Sequence, residues 1–159
     1  MPSSPPQLIH LEGGPALSAF RATLLLARLR ERVPRVSAVH ARHGYWVCSD
    51  APLDRGAHDK LTALLDNGER YTGAEDGALI VVMPRLGTVS PWASKATDIA
   101  HNCGLPIHRI ERVTEWRLAL EGGFLRGAKA LTEAELHTCA ELLHDRIAEA
   151  QVLIGQGCC

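Results

Sequence analysis

Apolar residues recur with two periods in this chain, and the same succession of periods occurs twice. The short run Leu8-Ile9-His10-Leu11 precedes a helically spaced segment. A longer strand follows, with Val39, Tyr45 and Val47 alternating onto one face, as a half-buried strand requires. Leu61, Leu64 and Leu65 then mark a helical stripe. Leu79-Ile80-Val81-Val82-Met83 opens the second round and stops at Pro84, which cannot donate to a sheet ladder. The chain turns at Gly87 and enters a helix at Ser90-Pro91, a favoured cap followed by a proline that loses no hydrogen bond there. Ile110, Trp116 and Leu118 line the second long strand, 71 positions after their counterparts in the first. The last helix carries Leu136, Ala140, Leu143 and Ile147, opened by a capping box of Thr132 and Glu135.

Finer matches support a duplication. Pro15-Ala16-Leu17-Ser18 corresponds to Pro91-Trp92-Ala93-Ser94, and Leu53 with Leu64-Leu65 mirrors Leu131 with Leu142-Leu143. The order is strand–helix–strand–helix, twice, with halves at about 7–70 and 77–150 of one domain spanning 1–150. Gly155-Gln156-Gly157 and the adjacent Cys158-Cys159 have no periodicity, so 151–159 is expected to be a disordered or truncated tail. The expected fold is α+β: two similar halves about a pseudo-two-fold axis, with helices on antiparallel or mixed sheets. A doubly wound parallel sheet is the alternative, because strand–helix–strand units build that fold too.

Composition narrows the function classes. A length of 159 residues fits one domain, and 46% hydrophobic content is enough for a buried core. A net charge of −1 gives no reason to expect nucleic acid or an anionic membrane as partner. No apolar run reaches the about 20 residues of a membrane span. The start, MPSSPPQ, has neither the basic nor the apolar region of a secretory signal. Five cysteines without C-x-x-C spacing fit reduced thiols, and together these features point to the cytoplasm.

Candidate chemistry concentrates between Pro84 and Gly104. Lys95, Asp98, His101 and Asn102 occupy neighbouring helical turns, opposite Ala93, Ala96 and Ala100. Arg85, Thr88 and Ser90 stand where a strand end feeds a helix start, a setting suited to an anion. Asp98 and His101, three apart with Lys95 near, also admit a catalytic reading. Six arginines between 21 and 42 face the single acid Glu31, whereas the last helix is acidic; both read as solvated helix faces able to attract each other, with a phosphate site on the basic segment as the alternative. His40 and His43 should point to opposite strand faces, which argues against shared metal ligation. There is no G-x-x-x-x-G-K-[ST] phosphate loop, no G-x-S-x-G elbow and no metal-type spacing.

The string Ser90-Pro91-Trp92-Ala93-Ser94-Lys95-Ala96-Thr97-Asp98-Ile99-Ala100-His101-Asn102-Cys103-Gly104 resembles a signature in the N-terminal part of large-type phosphoribosylformylglycinamidine synthase, also called formylglycinamide ribonucleotide amidotransferase. Gly14 to Arg21, Arg109 to Arg112 and Leu143 to Arg146 match in the same order, so the similarity runs from about Leu11 to about Glu149. Leu86, Ala93 and Val113 depart from the usual proline, serine and glycine. The resemblance implies a domain like a fused pair of the small subunits found in split versions of this ligase. The complete enzyme uses ATP, Mg²⁺ and glutamine to turn a formylglycinamide ribonucleotide into its amidine during purine biosynthesis. Its synthase and glutaminase domains lie beyond this chain and would be its partners. By that resemblance this chain has no catalytic residue, binds no cofactor or metal itself, and is inactive alone. Its part is structural and coupling, with Arg85, Thr88, Ser90, Lys95, Asp98, His101 and Asn102 as interface or anion-binding candidates. A stand-alone binder of a phosphorylated metabolite is the alternative, and a self-sufficient enzyme built on Asp98 and His101 a third.

Overall fold

In the computed structural model, residues 5–84, 89–122, 130–143 and 149–155 are described, the last segment by its backbone. Strands β1 (Gln7–Pro15), β2 (Val36–Ser49), β3 (Ala78–Pro84), β4 (Ile107–Leu120) and β5 (Glu149–Gly155) form one sheet in the order β1-β2-β4-β3-β5. Every adjacent pair is antiparallel, which excludes the doubly wound parallel alternative. Helices α1 (Ala19–Arg32), α2 (Arg55–Leu65), α3 (Pro91–Asn102) and α4 (Glu133–Leu143) connect the strands in alternation. The α+β class and the paired strand–helix halves are therefore present.

The β2–β4 ladder is the spine of the molecule. Each strand has 14 residues, which at ~3.3 Å per residue spans roughly 46 Å. Its register pairs Val39 with Leu118 and Val47 with Ile110. Under the 71-residue correspondence these two pairs exchange, and the axis relating the halves crosses the His43–Thr114 pair. Two apolar cores lie on either side of that axis. One joins α1 and α4 to Val36, Val39, Ala41, Ile80, Val82, Trp116 and Leu118. The other packs Leu61, Ala100 and Leu105 against Val47, Ile107 and Ile110. Each core thus takes one helix from each half, so neither half can bury its apolar face alone.

The caps follow the local sequence rules. Ser18, Asp54 and Ser90 each accept a backbone N–H of the first turn, at 3.3, 2.7 and 3.0 Å. Thr132 and Glu135 make both arms of their capping box, at 3.2 and 3.4 Å. Leu61, at 0% exposure, anchors the α2 stripe; Leu64 is half-exposed at its edge. Leu136, Ala140 and Leu143 are buried on α4, and Ile147 lies outside the described residues.

Three details differ from the sequence reading. Pro15 closes β1 opposite Arg42, and the capping Ser18 comes three residues later, so Ser18 is the counterpart of Ser90 and Pro15 does not match the helix-start Pro91. The register also aligns Leu11, not Ile9, with Ile80: Ile9 pairs with Val47, whose counterpart Leu118 pairs with Ala78. Residues 151–155, expected in a tail, instead belong to β5, which pairs along β3 from Pro84 to Leu79. The physical reason is the edge: β3 pairs with β4 on one side only, and its other row of backbone groups needs partners.

Candidate functional site

Helix α3 is held on the sheet by its small residues. Ala93 and Ala100 are fully buried, and Ala96 packs against the second core with Trp92. Thr97 Oγ1 accepts the Ile110 backbone N–H at 3.1 Å, fixing the helix to β4. Gly104, at φ +76°, takes the left-handed turn that ends it, and Lys60 Nζ donates to the terminal Cys103 carbonyl at 3.4 Å. Lys95, Asp98, His101 and Asn102 all lie exposed on the outer face, with Ile99 at 42% exposure among them. Arg85 and Thr88 lie outside the described residues.

The N-terminal end of α3 is already occupied by a carboxylate. Glu111 Oε1 accepts from Ser90 Oγ at 3.2 Å and from the Arg112 N–H at 3.2 Å, while Glu111 Oε2 accepts from Arg109 at 2.8 Å. The Arg112 guanidinium sits 4.8 Å over the Trp92 ring, and Trp92 stacks on Tyr45 at 5.6 Å. A β4 carboxylate therefore meets the helix dipole from within the fold. At the other end, His101 Nε2 bonds the Ile107 carbonyl, and among the described residues no hydrogen bond joins it to Asp98. The structure does not form the acid–base pair that the sequence allowed.

A second polar cluster escaped the sequence reading. Arg42 and Glu115 face each other across β2 and β4 and bond at 2.8 Å, on the sheet face opposite the two cores. His10 Nε2 joins Glu115 at 2.8 Å, while Glu12 and Glu75 approach Arg42 at 3.3 and 3.7 Å. Burial opposes the Arg42 charge, but the Glu115 bond and the surrounding carboxylates leave its pKa raised. The Tyr71 ring lies 5.6 Å from the guanidinium. Glu12, Arg42, Tyr71 and Glu75 border a cleft of ≈ 430 Å³ lined also by Gly13, Gly14, Asn67 and Arg70. A Cβ on Gly13 would stand 2.7 Å from the His43 carbonyl and the Tyr45 ring, so the strand is glycine there because β2 lies so close.

The histidine and charge expectations can be placed too. His40 lies near Gly73, whereas His43 is lowered in pKa by burial, with Arg112 adding to the effect. Arg35 of the basic segment pairs with Glu135 of the acidic helix at 3.1 Å. Among the described residues no group of three potential ligands is arranged for a metal, and no helix is long and apolar enough to cross a membrane.

The model of one protein family, formylglycinamide ribonucleotide amidotransferase N-terminal, matches residues 42–154. That stretch is more than half of the chain and contains all of α3, its flanking strands and the candidate residues from Arg85 to Asn102. This chain belongs to that family, the N-terminal part of the amidotransferase of purine biosynthesis.

Proposed function

We propose that this chain is a scaffold and coupling domain, which docks through the outer face of α3 onto the synthase and glutaminase regions of the enzyme. One observation carries the reading: α3 turns its alanines to the sheet and leaves Lys95, Asp98, His101 and Asn102 around Ile99 in solvent. An apolar centre with a polar rim is the usual composition of a contact surface. Val89, 55% exposed just before the helix, extends that surface. Arg85 and Thr88 remain interface candidates from the sequence alone.

The physical need is containment. Ammonia released from glutamine has to reach an activated amide before water takes it, so two distant sites must be aligned and sealed. A rigid domain with two interlocked cores suits that task without performing chemistry. ATP, Mg²⁺ and glutamine belong, in this reading, to the other domains, and the enzyme works in the cytoplasm. The Glu111 carboxylate at the Ser90 cap disfavours the anion-binding alternative, since a bound phosphate would meet it head-on.

Replacing Lys95 and Asp98 together by alanine in the complete enzyme tests the proposal. Loss of two rim contacts of ~0.7 kcal/mol each should weaken association of the regions by about tenfold. Product formed per glutamine hydrolysed should fall with it. Unchanged association and unchanged coupling would refute the proposal.

A further inference from the structure

Helices α1 and α3 are counterparts, yet they treat their first aromatic residue in opposite ways. Phe20 and Trp92 each stand two residues after the capping serine. Trp92 is turned inward onto Tyr45 beneath Arg112. Phe20 is 74% exposed, and Leu24, one turn on, is 54% exposed. The core does not require this exposure, because Leu29 is already fully buried and Ala22, Leu25 and Leu26 pack against the first core.

The exposed row continues with basic residues. Phe20, Leu24, Arg28 and Arg32 follow one another at four-residue steps, so they form a single ridge along the helix. Arg21 flanks its apolar end. Among the described residues no carboxylate lies within ion-pair distance of Arg21, Arg28 or Arg32, whereas Arg30, on another side, reaches Glu121 at 2.8 Å. Half the ridge is thus apolar, and half is positive charge that no described carboxylate neutralises. Aromatic residues and arginine are the side chains most enriched where proteins meet.

We infer that this ridge is a second docking surface, taking an acidic protein surface with an apolar recess supplied by the remainder of the amidotransferase. Charge complementarity fixes the chemistry: three guanidiniums with no carboxylate partner among the described residues call for Asp and Glu opposite, and Phe20 with Leu24 calls for a pocket between them. Family membership fixes the source, since the chain is the N-terminal part of a larger enzyme. A membrane is disfavoured because the broad apolar face of α1 is already packed in the core, leaving two large apolar side chains exposed on that helix. The inference rests on the docking role proposed above but assigns a different helix, on the other side of the axis.

A photo-crosslinking experiment on the complete enzyme tests it. With p-benzoylphenylalanine in place of Phe20, irradiation should join position 20 to a segment beyond residue 159 that carries Asp or Glu within a few residues. Arg21→Glu combined with Arg28→Glu should reduce that yield at least tenfold at low salt. A crosslink to a second copy of this domain, to lipid or to a basic segment would overturn the inference, as would no crosslink. A yield indifferent to the charge reversals would also overturn it. Adding Lys95→Ala and Asp98→Ala separates the two surfaces, because the crosslink at position 20 should persist when coupling through α3 is lost. A persisting crosslink with intact coupling would fail the α3 proposal alone.

Discussion

Arg42 and Glu115 meet at 2.8 Å across the central ladder, although 73 residues separate them in the chain. Their side chains are only 13% and 10% exposed, whereas the other carboxylates near Arg42, Glu12 and Glu75, are largely in solvent. Each is therefore the least exposed charged partner the other has. Glu115→Ala should destabilise the fold by about 3 kcal/mol, because it leaves a mostly buried guanidinium with only the largely exposed Glu12 and Glu75 as partners. Replacing both by Met and Leu should cost far less, since two apolar residues of similar volume need no partner. Urea denaturation of the two variants checks this; equal losses would contradict it.

Cys139 sits at 0% exposure in the first core, and burial pushes its thiol up to about 11, with Glu135 adding to the shift. Only the thiolate reacts, so burial protects this residue both sterically and chemically. Iodoacetamide at pH 8 should leave Cys139 unmodified in the folded protein, and label it only at the rate of unfolding. Fast labelling that leaves the fold intact would show that the α4 packing described above is wrong.

Glu135 closes the α4 capping box and pairs with Arg35, and the Arg35 hydrogen bond holds its carboxyl below the usual range. A depressed pKa contributes stability above the unfolded value of about 4.5, lost as pH falls through the lower folded value. Glu135→Gln should therefore flatten the stability profile in that acid window and leave the neutral-to-alkaline shape unchanged. The amplitude should be small, because the ion pair is partly exposed and screened by solvent. Thr132→Ala, which removes the other arm, should cost about 1 kcal/mol at every pH. Both follow from melts between pH 3 and 8 (about the range where carboxylates titrate).

The features read correctly from sequence were those governed by neighbours in the chain. Ser90 before Pro91, Thr132 with Glu135, and the spacing of Leu53 to Leu65 against Leu131 to Leu143 follow from capping and helical period alone. The alanine face of α3 was visible for the same reason. Register was not. The 71-residue repeat is compatible with any sliding of β2 along β4, so nothing local placed Arg42 opposite Glu115 or His10 beside them. The same freedom hid the two-residue offset between β1 and β3. Strand β5 was missed because Val152-Leu153-Ile154 is short and runs into glycines, and what orders it is the open edge of β3. Phe20 entered the sequence reading only within the matched stretch Gly14 to Arg21; its exposure, where its counterpart Trp92 turns inward, sets it apart.

Mixing this chain with the remaining synthase and glutaminase regions, each as a separate polypeptide, tests the docking role most directly. Glutamine-dependent ATP hydrolysis should be low without the chain and recover when it is added, and a chain carrying Lys95→Ala and Asp98→Ala should restore it poorly. Full activity without the chain, or equal recovery by the altered chain, would contradict a coupling role for the outer face of α3.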